Sequence, residues 1–248
     1  ARMGWVGRAA TDAIGAPATA ALGLLPGRDG TGRLFQPFVE ALGSEVHVQT
    51  IAYPPSESLT YAELAAFATS ALPRAGPLVI LGESFSGPIA VEVAARCGRR
   101  VRGLILCSTF VRDPRPRWSW LSPLLPALPI TALPTSVLAQ ALFGRHSNAH
   151  WRAELVRALN AVAPDVLRSR LLAVRSVDAA AALARLRVPL LYLQAREDRL
   201  VPASAFAIIK QLCPGVRVEA FDAPHALLQA CPFEAADAVK GFMREVAA

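Results

Sequence analysis

The sequence predicts an α/β fold with a mostly parallel central sheet flanked by helices, and three features lead to that reading. Short, continuous apolar runs such as PLVILG and VRGLILC have the pattern of strands covered on both faces. Longer stretches of helical periodicity alternate with them, as in βαβ units. The length of 248 residues suits one large domain, and with 53% hydrophobic and 18% charged residues the chain buries a sizeable core rather than remaining disordered.

Residues 1–17 carry Arg2 and Arg8 but are interrupted by Asp12 and glycines, so they read as an N-terminal extension and make a poor signal peptide. Residues 19–25 (TAALGLL) are the first strand, 31–43 a helix, 45–53 a strand and 59–72 a helix. PLVILGES then runs without a gap into the helical SFSGPIAVEVAARCG, and 101–109 is another buried strand. Between Arg112 and about Arg187 the rhythm breaks into proline-rich and then charged helical sequence, too long for an ordinary loop. It resumes with strands at 188–195 and 216–222 and helices from about 203 to 212 and from 233 to 246. The expected organisation is an α/β core made of 18–111 and 187–248, with 112–186 inserted as a helical cap.

Composition excludes several roles. The 26 basic residues include only two lysines, Lys210 and Lys240, and the arginines are scattered rather than clustered as a nucleic-acid site requires, so no nucleic-acid partner is expected. Cys97, Cys107, Cys213 and Cys231 show neither C-x-x-C nor metal-ligand spacing and read as buried thiols of a reducing, cytoplasmic protein. His146 and His150 are spaced i, i+4 but lack a third ligand, so no metal is expected. Residues 118–144 carry no charge, yet Pro123, Pro126, Pro129 and Pro134 interrupt any spanning helix, so no transmembrane segment is expected. A membrane-surface lipase remains a weaker alternative on the same stretch.

The chemistry centres on residues 82–87, GESFSG, between a strand and a helix. This is the context of a nucleophile elbow, in which a tight turn presents the hydroxyl of Ser84 at the sheet's carboxyl edge. Gly82 supplies the small residue two before the serine. Ser86 replaces the usual glycine two after it, with Gly87 next, so a somewhat more strained turn is expected. Ser86 itself would need glycines where Ser84 and Pro88 stand to serve as nucleophile. Asp198 and His225 follow in the chain order serine, acid, histidine, each just past a strand. A serine hydroxyl needs a base, the imidazole is one, and the carboxylate fixes its tautomer. Either partner alone reads equally well as a helix-capping acid or a loop histidine. The backbone N–H groups of Phe85 and of Arg28, in the loop PGRDGTG at 26–32, are the expected oxyanion donors. That loop fits neither dinucleotide nor P-loop spacing, which leaves a phosphate site a distant second reading.

With these motifs in place, the chain resembles the α/β-hydrolase superfamily and its small bacterial serine carboxylesterase-like branch, through LLPG-x-DGTG, GESFSG, D-R-L-V-P and PH-x-LLQ. The resemblance extends from about Ala18 onward. It implies the α/β-hydrolase fold with an eight-stranded, mostly parallel sheet, a Ser-Asp-His triad and no cofactor. Serine at position 84 argues against branches that use an aspartate nucleophile, and Pro26 stands where many relatives carry histidine. The expected activity is hydrolysis of small-molecule acyl esters. The alternatives are a thioesterase, an esterase for methyl esters on an acidic acyl carrier protein, and a catalytically silent ligand-binding protein. Trp118, Trp120, Leu121 and Leu124 are expected to roof an acyl pocket. Arg112, Arg115, Arg117, Arg168, Arg170 and Arg175 are expected around its mouth, where they would meet an acidic carrier.

Overall fold

The computed structural model describes residues 20–115 and 134–247. Six parallel strands among them form one sheet: β1 (Ala21–Leu25), β2 (Val48–Thr50), β3 (Leu78–Glu83), β4 (Val101–Cys107), β5 (Leu190–Ala195) and β6 (Arg217–Phe221), in the order β2-β1-β3-β4-β5-β6. The described residues thus supply six strands where the resemblance implied eight. Each central strand alternates its side chains between two apolar layers. In β3, Leu78 and Ile80 enter one layer, Val79 and Leu81 the other.

The first layer is closed by α2 (Tyr61–Ala71), α3 (Gly87–Cys97), α7 (Ala180–Arg185) and α8 (Ala203–Leu212). The second is closed by α1 (Gln36–Leu42), α9 (Leu227–Ala230) and α10 (Pro232–Ala247). Local sequence sets the helix starts. Thr60 and Glu63 form a reciprocal capping box before α2, while Pro37 and Pro88 occupy the first turns of α1 and α3. The helix expected from residue 31 begins as a 3-10 turn at Arg33–Phe35, and the one expected at the elbow is preceded by a 3-10 turn at Ser84–Ser86.

Between β4 and β5 the chain forms α4 (Thr135–Phe143), α5 (Ala149–Asn160), α6 (Pro164–Ala173) and then α7. Helix α7 packs on α3 and α8 in the sheet's own layer. Helices α4 and α5 join through Ala139, Phe143, Trp151 and Leu155, and that cluster includes Ala226, next to His225. His146 ends a 3-10 turn and His150 lies in α5 beyond the Asn148 cap, so the two histidines do not share one helix.

Strand order reverses between β1 and β3, whose following loops are neighbours at the carboxyl edge. Open α/β sheets place their ligand crevice at such a point. The loop at 26–32 and the elbow at Ser84 both lie there.

Candidate active site

Ser84 directly follows β3 and is one of two non-glycine residues with positive φ among those described, at φ 52°. A side chain in this region is strained, and the surroundings hold it there. The Ser84 carbonyl accepts from the backbone N–H of Gly87 and from the hydroxyl of Thr109, just past β4. A Cβ on Gly82 would lie 2.6 Å from the carbonyl oxygen of Ser86, and one on Gly87 would lie 2.1 Å from the hydroxyl of Thr109. Both positions require glycine for close approach.

The expectation of extra strain at Ser86 is corrected. Ser86 has φ −87° and ψ 2°, a conformation that needs no glycine, and its side chain has a buried place of its own. Its Oγ donates to the carbonyl of Pro26 and lies 2.7 Å from the hydroxyl of Tyr53. Within the elbow, positive φ falls on Ser84 and not on Ser86.

Asp198 and His225 come from the loops that follow β5 and β6. Strand pairing continues into the loops, with Arg196 N–H donating to Phe221 O and Glu197 N–H to Ala223 O, so the acid and histidine loops leave together. His225 Nε2 lies 2.7 Å from Ser84 Oγ, and its Nδ1 lies 2.7 Å from Asp198 Oδ2. The other carboxylate oxygen accepts from the backbone N–H groups of Leu200 and Val201, at 2.8 and 2.9 Å. Both side chains are almost wholly buried. The structure therefore brings the three expected residues into one hydrogen-bonded line, with the carboxylate held at both oxygens.

Phe85 follows Ser84 in the 3-10 turn, and its ring packs 4.8 Å from that of Tyr61. Arg28 sits in a turn closed by Gly30 N–H on Gly27 O, at 2.9 Å. The hydrogen bond from Ser86 to Pro26 places this turn against the elbow. Trp118, Trp120, Leu121 and Leu124 lie outside the described residues.

Several contributors escape sequence reasoning. Glu83, immediately before the serine, is buried and receives 3.1 Å from Gln229 Nε2. Burial raises its pKa to about 7, against the opposing effects of the Gln229 bond, the nearby His225 and the Gly27 N–H. Arg170 was expected at an exposed rim, but it is 2% exposed and turned inward, because three backbone carbonyls and the Tyr53 ring receive its guanidinium. It shares the buried face of α6 with Val166 and Leu167, but its charge reads in the sequence as a surface residue. A groove of about 830 Å³ is lined by Tyr61, Pro88, Arg168, Leu172 and Val177 among others, and reaches the first turn of α3 at Pro88.

The family model described as the Alpha/beta hydrolase family matches residues 24–240. The chain belongs to this alpha/beta hydrolase family. Solved structures of the same fold include a hydrolase from Oleispira antarctica, at 17% identity and TM-score 0.78, covering 91% of each chain. An esterase from Exiguobacterium antarcticum has 15% identity and TM-score 0.76, covering 91% of this chain and 92% of its own. A thermophilic esterase from Thermogutta terrifontis has 20% identity and TM-score 0.72, covering 92% of this chain and 91% of its own. At these identities the likeness is one of fold. No curated protein matches the chain.

Among the described residues no helix is long and apolar enough to cross a membrane, and no group of three or more His, Cys, Asp or Glu could hold a metal.

Proposed function

We propose that this alpha/beta hydrolase cleaves carboxylic esters through a covalent acyl-enzyme. The observation that carries the reading is the line from Ser84 through His225 to Asp198, with 2.7 Å at each step. Ser84 Oγ attacks the acyl carbonyl as His225 Nε2 takes its proton, and Asp198 keeps the Nδ1–H tautomer in place and stabilises the imidazolium. The oxyanion is received by the backbone N–H groups of Phe85 and Arg28. His225 then protonates the departing alcohol, and water, activated by the same imidazole, releases the acid. No cofactor enters these steps.

Helices α4 to α6 act as the cap in this reading, and α7 belongs to the core. The contacts of α4 and α5 with Ala226, and of α6 with the 26–32 loop, support that division. The four cysteines are free, Cys107 buried and the other three half-buried.

Small-molecule esters are favoured over carrier-bound substrates because four of the arginines expected to greet a carrier are engaged within the chain. Arg112 pairs with Asp178, Arg175 with Asp113, Arg115 binds backbone oxygens of Arg199 and Leu200, and Arg170 is buried. The deciding experiment is a panel of p-nitrophenyl esters and acyl thioesters from two to eight carbons, with wild type and Ser84→Ala. Each methylene that enters an apolar pocket contributes about 0.8 kcal/mol, so two carbons raise kcat/KM roughly tenfold until the pocket fills. Absence of turnover on every member would leave the ligand-binding alternative.

A further inference from the structure

Among the described residues, Arg170 is the one arginine placed among the largest fully buried side chains, yet its three hydrogen bonds all go to backbone carbonyls. Nη1 donates to Arg28 O at 3.0 Å and to Asp29 O at 2.7 Å, and Nη2 donates to Pro54 O at 3.1 Å. Taking a guanidinium out of water is costly, and a merely adhesive contact between α6 and the core is served better by apolar groups. The choice of acceptors is informative.

A trans peptide is planar, so fixing a carbonyl fixes the N–H of the next residue in the opposite direction. The three peptide planes between Gly27 and Gly30 are each held this way. Gly30 N–H takes Gly27 O, and Arg170 takes Arg28 O and Asp29 O. The Arg28 amide belongs to the first of these planes. Its turn is also tied to the elbow below, where Ser86 donates to Pro26 O and Tyr53, whose ring centroid lies 5.6 Å from the guanidinium carbon, meets Ser86. Gly30 makes the approach possible, since it has φ 73° and a Cβ there would lie 2.3 Å from Nη1.

We propose that Arg170 is a positioning residue for the oxyanion loop: reaching from the inserted helix α6, it presets the peptide planes of residues 27–30 so that the Arg28 amide awaits the developing oxyanion. This rests on the reading of Ser84 as the nucleophile. It makes the insertion part of the catalytic apparatus rather than only a cover. Donors that are already oriented need no reorganisation as charge develops, and small misplacements of such groups are expensive.

The test compares wild type with Arg170→Lys and Arg170→Gln, using p-nitrophenyl butyrate as substrate and a butyl trifluoromethyl ketone, whose serine adduct carries an oxyanion, as inhibitor. Both variants are expected to lower kcat about 10- to 100-fold with KM nearly unchanged, and to weaken the ketone by a similar factor. Gly30→Ala, which pushes a methyl against Nη1 while Arg170 remains, is expected to reproduce the kcat loss and serves if the arginine variants fold poorly. A purely structural role would lower Tm or raise KM while leaving kcat and ketone affinity within about twofold, and that outcome overturns the proposal. Wild-type protein that neither turns over the ester nor binds the ketone would overturn the reading of the site itself, and Arg170's role with it.

Discussion

The hydroxyls of Tyr53 and Ser86 meet 2.7 Å apart in the interior, joining the loop after β2 to the second residue past Ser84. Ser86 also donates to Pro26 O, so the hydroxyl that takes the place of an elbow glycine links two loops of the site. Ser86→Ala should leave buried polar groups unpaired and cost about 1–3 kcal/mol. Tyr53→Phe should cost less, because Ser86 keeps its carbonyl partner. A double-mutant cycle by urea denaturation measures the coupling, and additive losses would contradict the geometry.

Ser84→Ala and His225→Ala are expected to lower kcat by roughly a millionfold and Asp198→Asn by about ten-thousandfold, since the acid orients while the other two react. Ester hydrolysis and labelling by a fluorophosphonate check this together. Modification at any residue other than Ser84 would displace it as nucleophile.

Glu83 makes stability depend on pH. Its pKa rises from 4.5 to about 7 on folding, so between these values the folded state holds a proton that the unfolded state has released. Stability from this group is fully present below about pH 4.5 and is lost as pH rises through 7, by about 3 kcal/mol at most. Glu83→Gln removes the ionisation while keeping the size of the side chain and an oxygen able to accept from Gln229 Nε2. The variant should be more stable than wild type at pH 8 and about equal at pH 5. Denaturant midpoints at both values measure the difference, and a pH-independent difference would exclude ionisation of Glu83.

Phe143 is fully buried, stacks 5.1 Å from Trp151, and follows Leu142, whose carbonyl accepts from Ala226 N–H at 2.9 Å. Phe143→Ala should cost about 3–5 kcal/mol of packing, concentrated in α4 and α5. Because that packing supports the residue after His225, hydrolysis should fall at temperatures where the sheet is still folded. Hydrogen exchange resolved by segment, set beside activity, distinguishes this from global unfolding.

How much was legible in the sequence follows from the range of each signal. Buried strands such as 78–83 and 101–107 write their pattern into consecutive residues, and β3 and β4 lie where it places them. The edge strand expected at 45–53 shrinks to Val48–Thr50, because half-exposed positions carry a weaker pattern. Ser84, Asp198 and His225 were visible because each sits beside a strand end in a fixed order. Arg170, Tyr53 and Glu83 were not, since their roles come from partners distant in the chain, 33 residues for Tyr53 and Ser86, 116 for Arg170 and Pro54, and 146 for Glu83 and Gln229.

Strands β4 and β5 are adjacent in register, Leu104 opposite Leu190, although the whole insertion lies between them in the chain. The entropy of closing such an excursion grows only with the logarithm of its length, about 0.6 kcal/mol for each doubling. Descendants of this chain can therefore lengthen, shorten or exchange the excursion at small thermodynamic cost while serine, acid and histidine stay at the ends of their strands. The freedom has one limit. A replacement must bring its own means of holding the turn at residues 27–30, so inherited variation in the insertion is expected to be wide in length and narrow at the position that reaches that turn.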